Sequence, residues 1–341
     1  MSYPVICEIS LEKLKENALK VKKLLGNKTK FYAVVKSDAY GHGIVPIASE
    51  IYSVVNGYCV SLTSEAIKLR VSGIDKEILM LTPVFSETVE ELIRYNITIS
   101  VSSLSDILLV EKTAVKLNKK AKIQLAINTG MNRLGFNGLT DLLNSLNYLK
   151  TSSFILLTGA YSHFGNTLNK EYTERQFRCF NYLTKAIKKQ FKNLTYHISA
   201  SGGLLLDKKY LLNACRVGLL LYGYKPFESN KINVEPIMQV YAKRVSVQNN
   251  VKGKNLLYGD NLCNVNDATI IRLGYADGFL RRGLSNSINE MCMDISAIKG
   301  EENANLIPIM TNAEELAKNW NTICYEVLVN VTKRAEIIYK K

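Results

Sequence analysis

From residue 31 to about residue 222 the chain repeats one pattern. A short, almost uninterrupted apolar run is followed by a polar turn, then by a longer stretch whose apolar residues recur at helical spacing. Uninterrupted apolar runs suit strands buried on both faces, and their alternation with amphipathic helices predicts βα units around a parallel sheet. Eight such runs can be read: FYAVV (31–35), GYCVSL (57–62), EILML (77–81), ITISV (97–101), KIQLAI (122–127), LTGAYS (157–162), LTYHIS (194–199) and CRV (215–217). Between them, IVPIASEIYSVV and EYTERQFRCFNYLTKAIKK carry the helical period. Eight parallel strands with crossovers predict an α/β fold of the closed (β/α)8, or TIM, barrel type over residues 10–225.

After residue 225 the texture changes. IMQVYAKRVSV, NLLYG and ATIIRL are short β-like runs separated by Asn, Gly and Asp, which predicts a small C-terminal β-domain over residues 226–341. The run VICEIS precedes the first barrel helix and has no obvious barrel partner, so a strand over residues 4–9 is expected to join that domain.

Composition alters this picture little. With 341 residues, 47% of them hydrophobic, the chain can build a large core. The net charge of +14 could suit nucleic acid, but the lysines are spread along the chain, as in LEKLKENALKVKKLL, where they read as a solvated helix face. No zinc-finger, RRM or KH pattern accompanies them. Seven scattered cysteines without a C-x-x-C pair, and three histidines, argue against a disulfide framework or a metal site. The sequence has no run of eighteen apolar residues, and MSYPVICEIS lacks a basic segment followed by a hydrophobic stretch. The expectation is a cytoplasmic protein with neither membrane nor nucleic-acid partner.

Barrel enzymes place their sites at the C-terminal ends of the strands. There the sequence puts Lys36 and Tyr40 after the first strand, Arg133 after the fifth and His163 after the sixth. Ser201, Gly202 and Gly203 follow the seventh, and Arg216 and Gly218 mark the eighth. Singly, each has a plain reading: a snorkelling lysine, a core histidine, turn glycines, a salt-bridge arginine. Together at one rim they suit an anionic carbonyl compound. A lysine desolvated among cations loses basicity and can attack a carbonyl, and glycine-rich loops cradle phosphate. Lysine, phosphate loop and an arginine able to face a pyridine nitrogen together describe pyridoxal 5'-phosphate.

Seven motifs, AVVKSDAYGHG, INTGMNRLGF, YSHFGNT, ISASGG, CRVGLLLYG, RLGYADGF and CMD, occur in order across residues 33–294. Through them the chain resembles the alanine racemase family of fold-type III pyridoxal phosphate enzymes. The resemblance implies that Lys36 carries the cofactor and that Tyr40, Ser201, Gly218 and Leu219 hold its phosphate. Arg216 would face the pyridine nitrogen, with His163 beside it. It further implies a two-base racemase, with Lys36 on one face of the substrate and Tyr275, supplied by the partner subunit of a homodimer, on the other. Arg133 and the Met293 backbone would meet the substrate carboxylate. The implied product is D-alanine for peptidoglycan.

Three departures stand out. Many family members place a carbamylated lysine where this chain has Ala126, and an aspartate where it has Asn128. Residues 276–292, between Tyr275 and Met293, are too few for the usual extra hairpin, so the β-domain is expected to be shortened. Lys333 stands near the position of a family tyrosine, which leaves room for a hydroxymethyl group and keeps serine racemisation of the vancomycin-resistance type as an alternative. A non-catalytic cofactor-homeostasis protein is a second alternative, disfavoured by GYADG. A decarboxylase of the same fold type is a third, disfavoured by Arg216 where an acidic residue is wanted.

Overall fold

The computed structural model describes residues 4–258 and 262–341. They form two compact units. One comprises Lys15–Ser37 and Ile44–Val234, the other the N-terminal segment to Leu14, Asp38–Gly43 and Glu235–Lys341.

The larger unit is built on eight parallel strands, Lys30–Val34, Gly57–Val60, Glu77–Met80, Ile99–Val101, Ala121–Ala126, Ile155–Tyr161, Thr195–His197 and Ala214–Val217. They fall into two four-stranded arcs. Backbone hydrogen bonds join the arcs at both ends. Thr98 bonds to Ile78 and Met80 at 2.9 Å each, and the Arg216 N–H donates to Ser199 at 3.0 Å. The circuit of eight strands is thereby complete, the (β/α)8 barrel read from the alternating runs. Helices fill the crossovers. Lys170–Gln190 starts at Asn169, whose side chain accepts the Tyr172 N–H at 2.9 Å, and it buries Thr173, Gln176, Phe180, Leu183, Thr184 and Ile187 at spacings of three and four. The pattern over residues 44–55 gives a shorter helix, Ile44–Glu50. Its continuation relaxes into turns, and Asn56 Oδ1 then takes the Phe31 N–H at 2.8 Å.

The smaller unit is a seven-stranded sheet around Met238–Gln248. Val5–Ser10 lies antiparallel to that strand, with Val5 opposite Ala242, and parallel to Glu336–Lys340. On its other side are Leu306–Met310 and Ala268–Arg272. Ser296–Lys299 and the two-residue Ser287–Ile288 extend the sheet. The NLLYG run is not a strand: Asn255 makes an isolated bridge to Leu262, Leu256–Tyr258 lie outside any ladder, and Gly259 is outside the described residues. Two helices that the β-like texture conceals, Ala313–Trp320 and Cys324–Asn330, complete the unit. Among the described residues no helix is long and apolar enough to cross a membrane.

Candidate functional site

Lys36 follows the first barrel strand, where the apolar run Phe31–Val35 is buried and the lysine half-buried. Desolvation lowers its basicity, the nearby Arg133 lowers it further, and Glu65 partly opposes both. Lys36 opens a left-handed turn. Ser37, Asp38, Ala39 and Tyr40 have φ of 54°, 51°, 56° and 53°, a conformation that costs L-residues roughly 1–2 kcal/mol each. Gly41 and Gly43 continue it at φ 80° and 85°, and an added Cβ on Gly41 would lie 2.5 Å from the Leu328 carbonyl oxygen. Tyr40 is buried edge-on against Tyr325, with ring centroids 5.4 Å apart.

Arg133 sits in the loop after the fifth strand, which Asn128 organises. Its Oδ1 accepts from Gly130 N and Asn132 N at 2.9 and 3.1 Å, and its Nδ2 donates to Asn132 Oδ1 and Asn137 Oδ1 at 3.0 and 2.6 Å. Asn128 thus shapes the backbone that presents Arg133. The guanidinium itself is exposed and has no ion pair among the described residues. The loop after the sixth strand is tied to this one: Thr129 and Ser162 share a 2.8 Å hydrogen bond, and Gln176 donates to Thr129 Oγ1 and to the His163 carbonyl.

Arg216 is 3% exposed. One terminal nitrogen donates to the Ser162 carbonyl at 2.6 Å and contacts His163 Nδ1 at 3.2 Å, while the other donates to His197 Nδ1. Its Nε–H meets no protein acceptor among the described residues. Burial and the charges of Arg216, Arg133 and Lys36 push His163 down to about 3, so the imidazole is neutral at pH 7. His197 is fully buried, is likewise held well below the usual range by burial and Arg216, and stacks on Tyr161 with centroids 5.2 Å apart.

Ser201 begins the helix Ser201–Leu206, and its hydroxyl lies 3.5 Å from the Leu220 N–H in the turn that Gly218 and Leu219 open. Gly202 and Gly203 are closely approached: a Cβ would come 2.6 Å from Thr167 Oγ1 and 2.4 Å from Ser199 Oγ respectively. The larger unit therefore gathers Lys36, Arg133, His163, Ser201, Arg216, Gly218 and Leu219 at the strand ends. An amine of reduced basicity near two arginines, one of them held rigidly, and glycine-bounded turns suits an anionic compound with a reactive carbonyl.

Tyr275 and Met293 belong to the smaller unit and lie side by side: Tyr275 N donates to the Cys292 carbonyl and Ala276 N to that of Met293, at 3.2 and 3.0 Å. Both side chains are exposed, Tyr275 by 41% and Met293 by 54%. Buried Asp277 accepts from Gly274 N at 2.8 Å and pairs with Arg272 and Arg334, which also reach Asp294. One charge network thus fixes both loops. Lys333 lines a cavity of about 440 Å³ with Tyr275, Phe279 and Trp320. His197 carries no motif signal in the sequence. The available hint is that one of only three histidines falls inside an apolar strand, in TYHIS.

Residues 9–226 match the family model "Alanine racemase, N-terminal domain", and residues 237–339 match "Alanine racemase, C-terminal domain". The alanine racemase of Clostridium novyi (strain NT) is 30% identical over 373 aligned positions, covering 99% of this chain and 96% of that protein. That of Ligilactobacillus salivarius (strain UCC118) is 30% identical, covering 97% of each. Among solved structures, the alanine racemase of Clostridium difficile 630 superposes with a TM-score of 0.94 at 27% identity, covering 100% of this chain and 96% of that one. With both family domains matched in order along almost its whole length, the chain belongs to the alanine racemase family.

Proposed function

We propose that the chain is an isomerase that interconverts L- and D-alanine, with pyridoxal 5'-phosphate as cofactor. The observation that carries this reading is the half-buried Lys36 amine, made less basic by burial and Arg133 at a rim that also holds Arg216 and two glycine-bounded turns, in a chain similar to alanine racemases over its full length. The residues fit the cofactor. Ser201, the amides of Gly218 and Leu219, and the Tyr40 hydroxyl would bind its phosphate. The unclaimed Nε–H of Arg216 would meet the pyridine nitrogen, and Lys36 would hold the aldehyde carbon covalently. When bound, the group supplies an electron-withdrawing ring that acidifies the substrate α-carbon.

The chain's own residues supply the rest. Arg216 cannot give up a proton, so it would leave the ring nitrogen unprotonated and limit side reactions. Arg133 and the Met293 backbone N–H would orient the substrate carboxylate. Lys36 would move the α-proton on one face and Tyr275 on the other. Tyr275 would come from the partner subunit of a homodimer. His163, backed by Arg216, would supply the surroundings its phenol needs, since an ordinary tyrosine loses its proton only near pH 10. A cytoplasmic location and delivery of D-alanine to peptidoglycan complete the reading.

The test is incubation of cofactor-loaded protein with L-alanine, and separately with L-serine, in heavy water. The α-proton signal and the D-enantiomer are followed together. Exchange with inversion, faster for alanine, is expected; neither exchange nor inversion with either substrate would overturn the racemase reading. Tyr275→Phe should abolish inversion while the protein still takes up cofactor, and Lys36→Ala should abolish covalent cofactor attachment.

A further inference from the structure

A continuous polar chain runs through the barrel interior from Arg216 to the opposite end of the strands. Arg216 donates to His197 Nδ1, His197 Nε2 lies 2.7 Å from Gln124 Oε1, and Gln124 Nε2 donates to Glu77 Oε1 at 3.1 Å. Glu77 also accepts from the Tyr32 hydroxyl at 2.7 Å and from Thr98 at 3.4 Å. His197 and Gln124 are fully buried. Glu77, at the start of the third strand, is half-buried and lines a basal cavity of about 450 Å³ with Lys30, Lys122 and Thr195.

The two ends of this chain dictate its middle. A guanidinium can only donate and a carboxylate can only accept, so every proton between them must point the same way. The Gln124 NH₂ must face Glu77, its carbonyl must face His197, and His197 must be the neutral Nε2–H tautomer with Nδ1 free to receive Arg216. If the amide turned around, donors would face the imidazole from both sides. A neutral imidazole has only one bare nitrogen, so one contact, that of Gln124 or of Arg216, would break.

We propose that Glu77 is a positioning residue: acting through Gln124, it fixes the tautomer of His197 and so the seat of Arg216. The inference rests on the reading of Arg216 as the cofactor's ring-nitrogen partner, and it adds to the site a residue at the far end of the barrel.

The experiment uses cofactor-loaded protein labelled with ¹⁵N-histidine, whose three histidines allow assignment by single substitution. In the wild type, His197 should show a protonated Nε2 and a bare Nδ1. In Glu77→Leu and in Gln124→Leu, its two nitrogen signals should move toward each other and the hydrogen-bonded Nε2 proton should shift upfield. The double variant should add nothing to either single one, and Glu77→Gln, which keeps an accepting carbonyl, should restore most of the wild-type pattern. His42 signals serve as the control for folding, and kcat for alanine should fall several-fold with KM little changed. A wild-type His197 protonated at Nδ1, or His197 signals unmoved in both leucine variants, would overturn the proposal. Failure of the racemase reading would show separately, as absence of the D-enantiomer from wild-type protein whose nitrogen signals behave as stated.

Discussion

Lys36 and Arg216 were legible because each interrupts an apolar run where burying a charge is costly, and such an interruption calls for a partner or a task. His197, Gln124 and Glu77 were not. They lie on three different strands, and only the barrel's register turns an ordinary glutamine and glutamate into links of one chain. The histidines have a measurable consequence. Burial holds His42 down to about 4 and His163 to about 3, with His197 well below its usual range. Each is neutral when folded and protonates near pH 6.5 when unfolded, so below that value the unfolded chain binds more protons. The stability they contribute is fully present above pH 6.5 and is lost as pH falls through about 4 for His42 and about 3 for His163. His42 and His163 should each account for about 2 kcal/mol between pH 7 and 5, measurable by urea unfolding at the two pH values. His42→Gln should flatten that dependence by one histidine's share.

Among elements, the helices with the longest apolar period were the most readable. Leu11–Leu25 buries Leu14, Ala18, Val21 and Leu25 along one stripe and leaves its lysines outside, as LEKLKENALKVKKLL suggests. The left-handed turn after Lys36 was unreadable, since SDAY contains no glycine and one aspartate alone does not signal four successive residues at positive φ. Ala39→Gly should relieve part of the strain and raise unfolding stability by up to about 1 kcal/mol, after allowance for the greater freedom of glycine in the unfolded chain. Gly41→Ala should do the reverse, by more than about 1 kcal/mol, because its Cβ would collide with backbone at Leu328 while φ stays positive. Urea midpoints of the two variants would read both. NLLYG shows the converse: despite its β-like composition, of its described residues, 255–258, only Asn255 pairs, in an isolated bridge to Leu262.

For the molecule as a whole, barrel and β-domain were both visible in the change of texture near residue 225, while the two C-terminal helices were hidden among short apolar runs. The N-terminal strand is an integral part of the smaller unit. Val5, Cys7 and Ile9 are fully buried, and the strand is paired on both sides. Ile9→Asp should therefore expose residues 235–341 to limited proteolysis while leaving 44–234 protected. The same pairing has a bearing on biosynthesis. Residues 5–10 are made well before both of their partners, 238–248 and 336–340. At 5–20 residues per second the strand waits roughly 10 to 50 s with both edges unsatisfied, and one edge stays open until roughly 15 to 70 s, while the barrel folds behind it. The sheet of the β-unit can therefore close only after residues 336–340 have been made, long after its first strand.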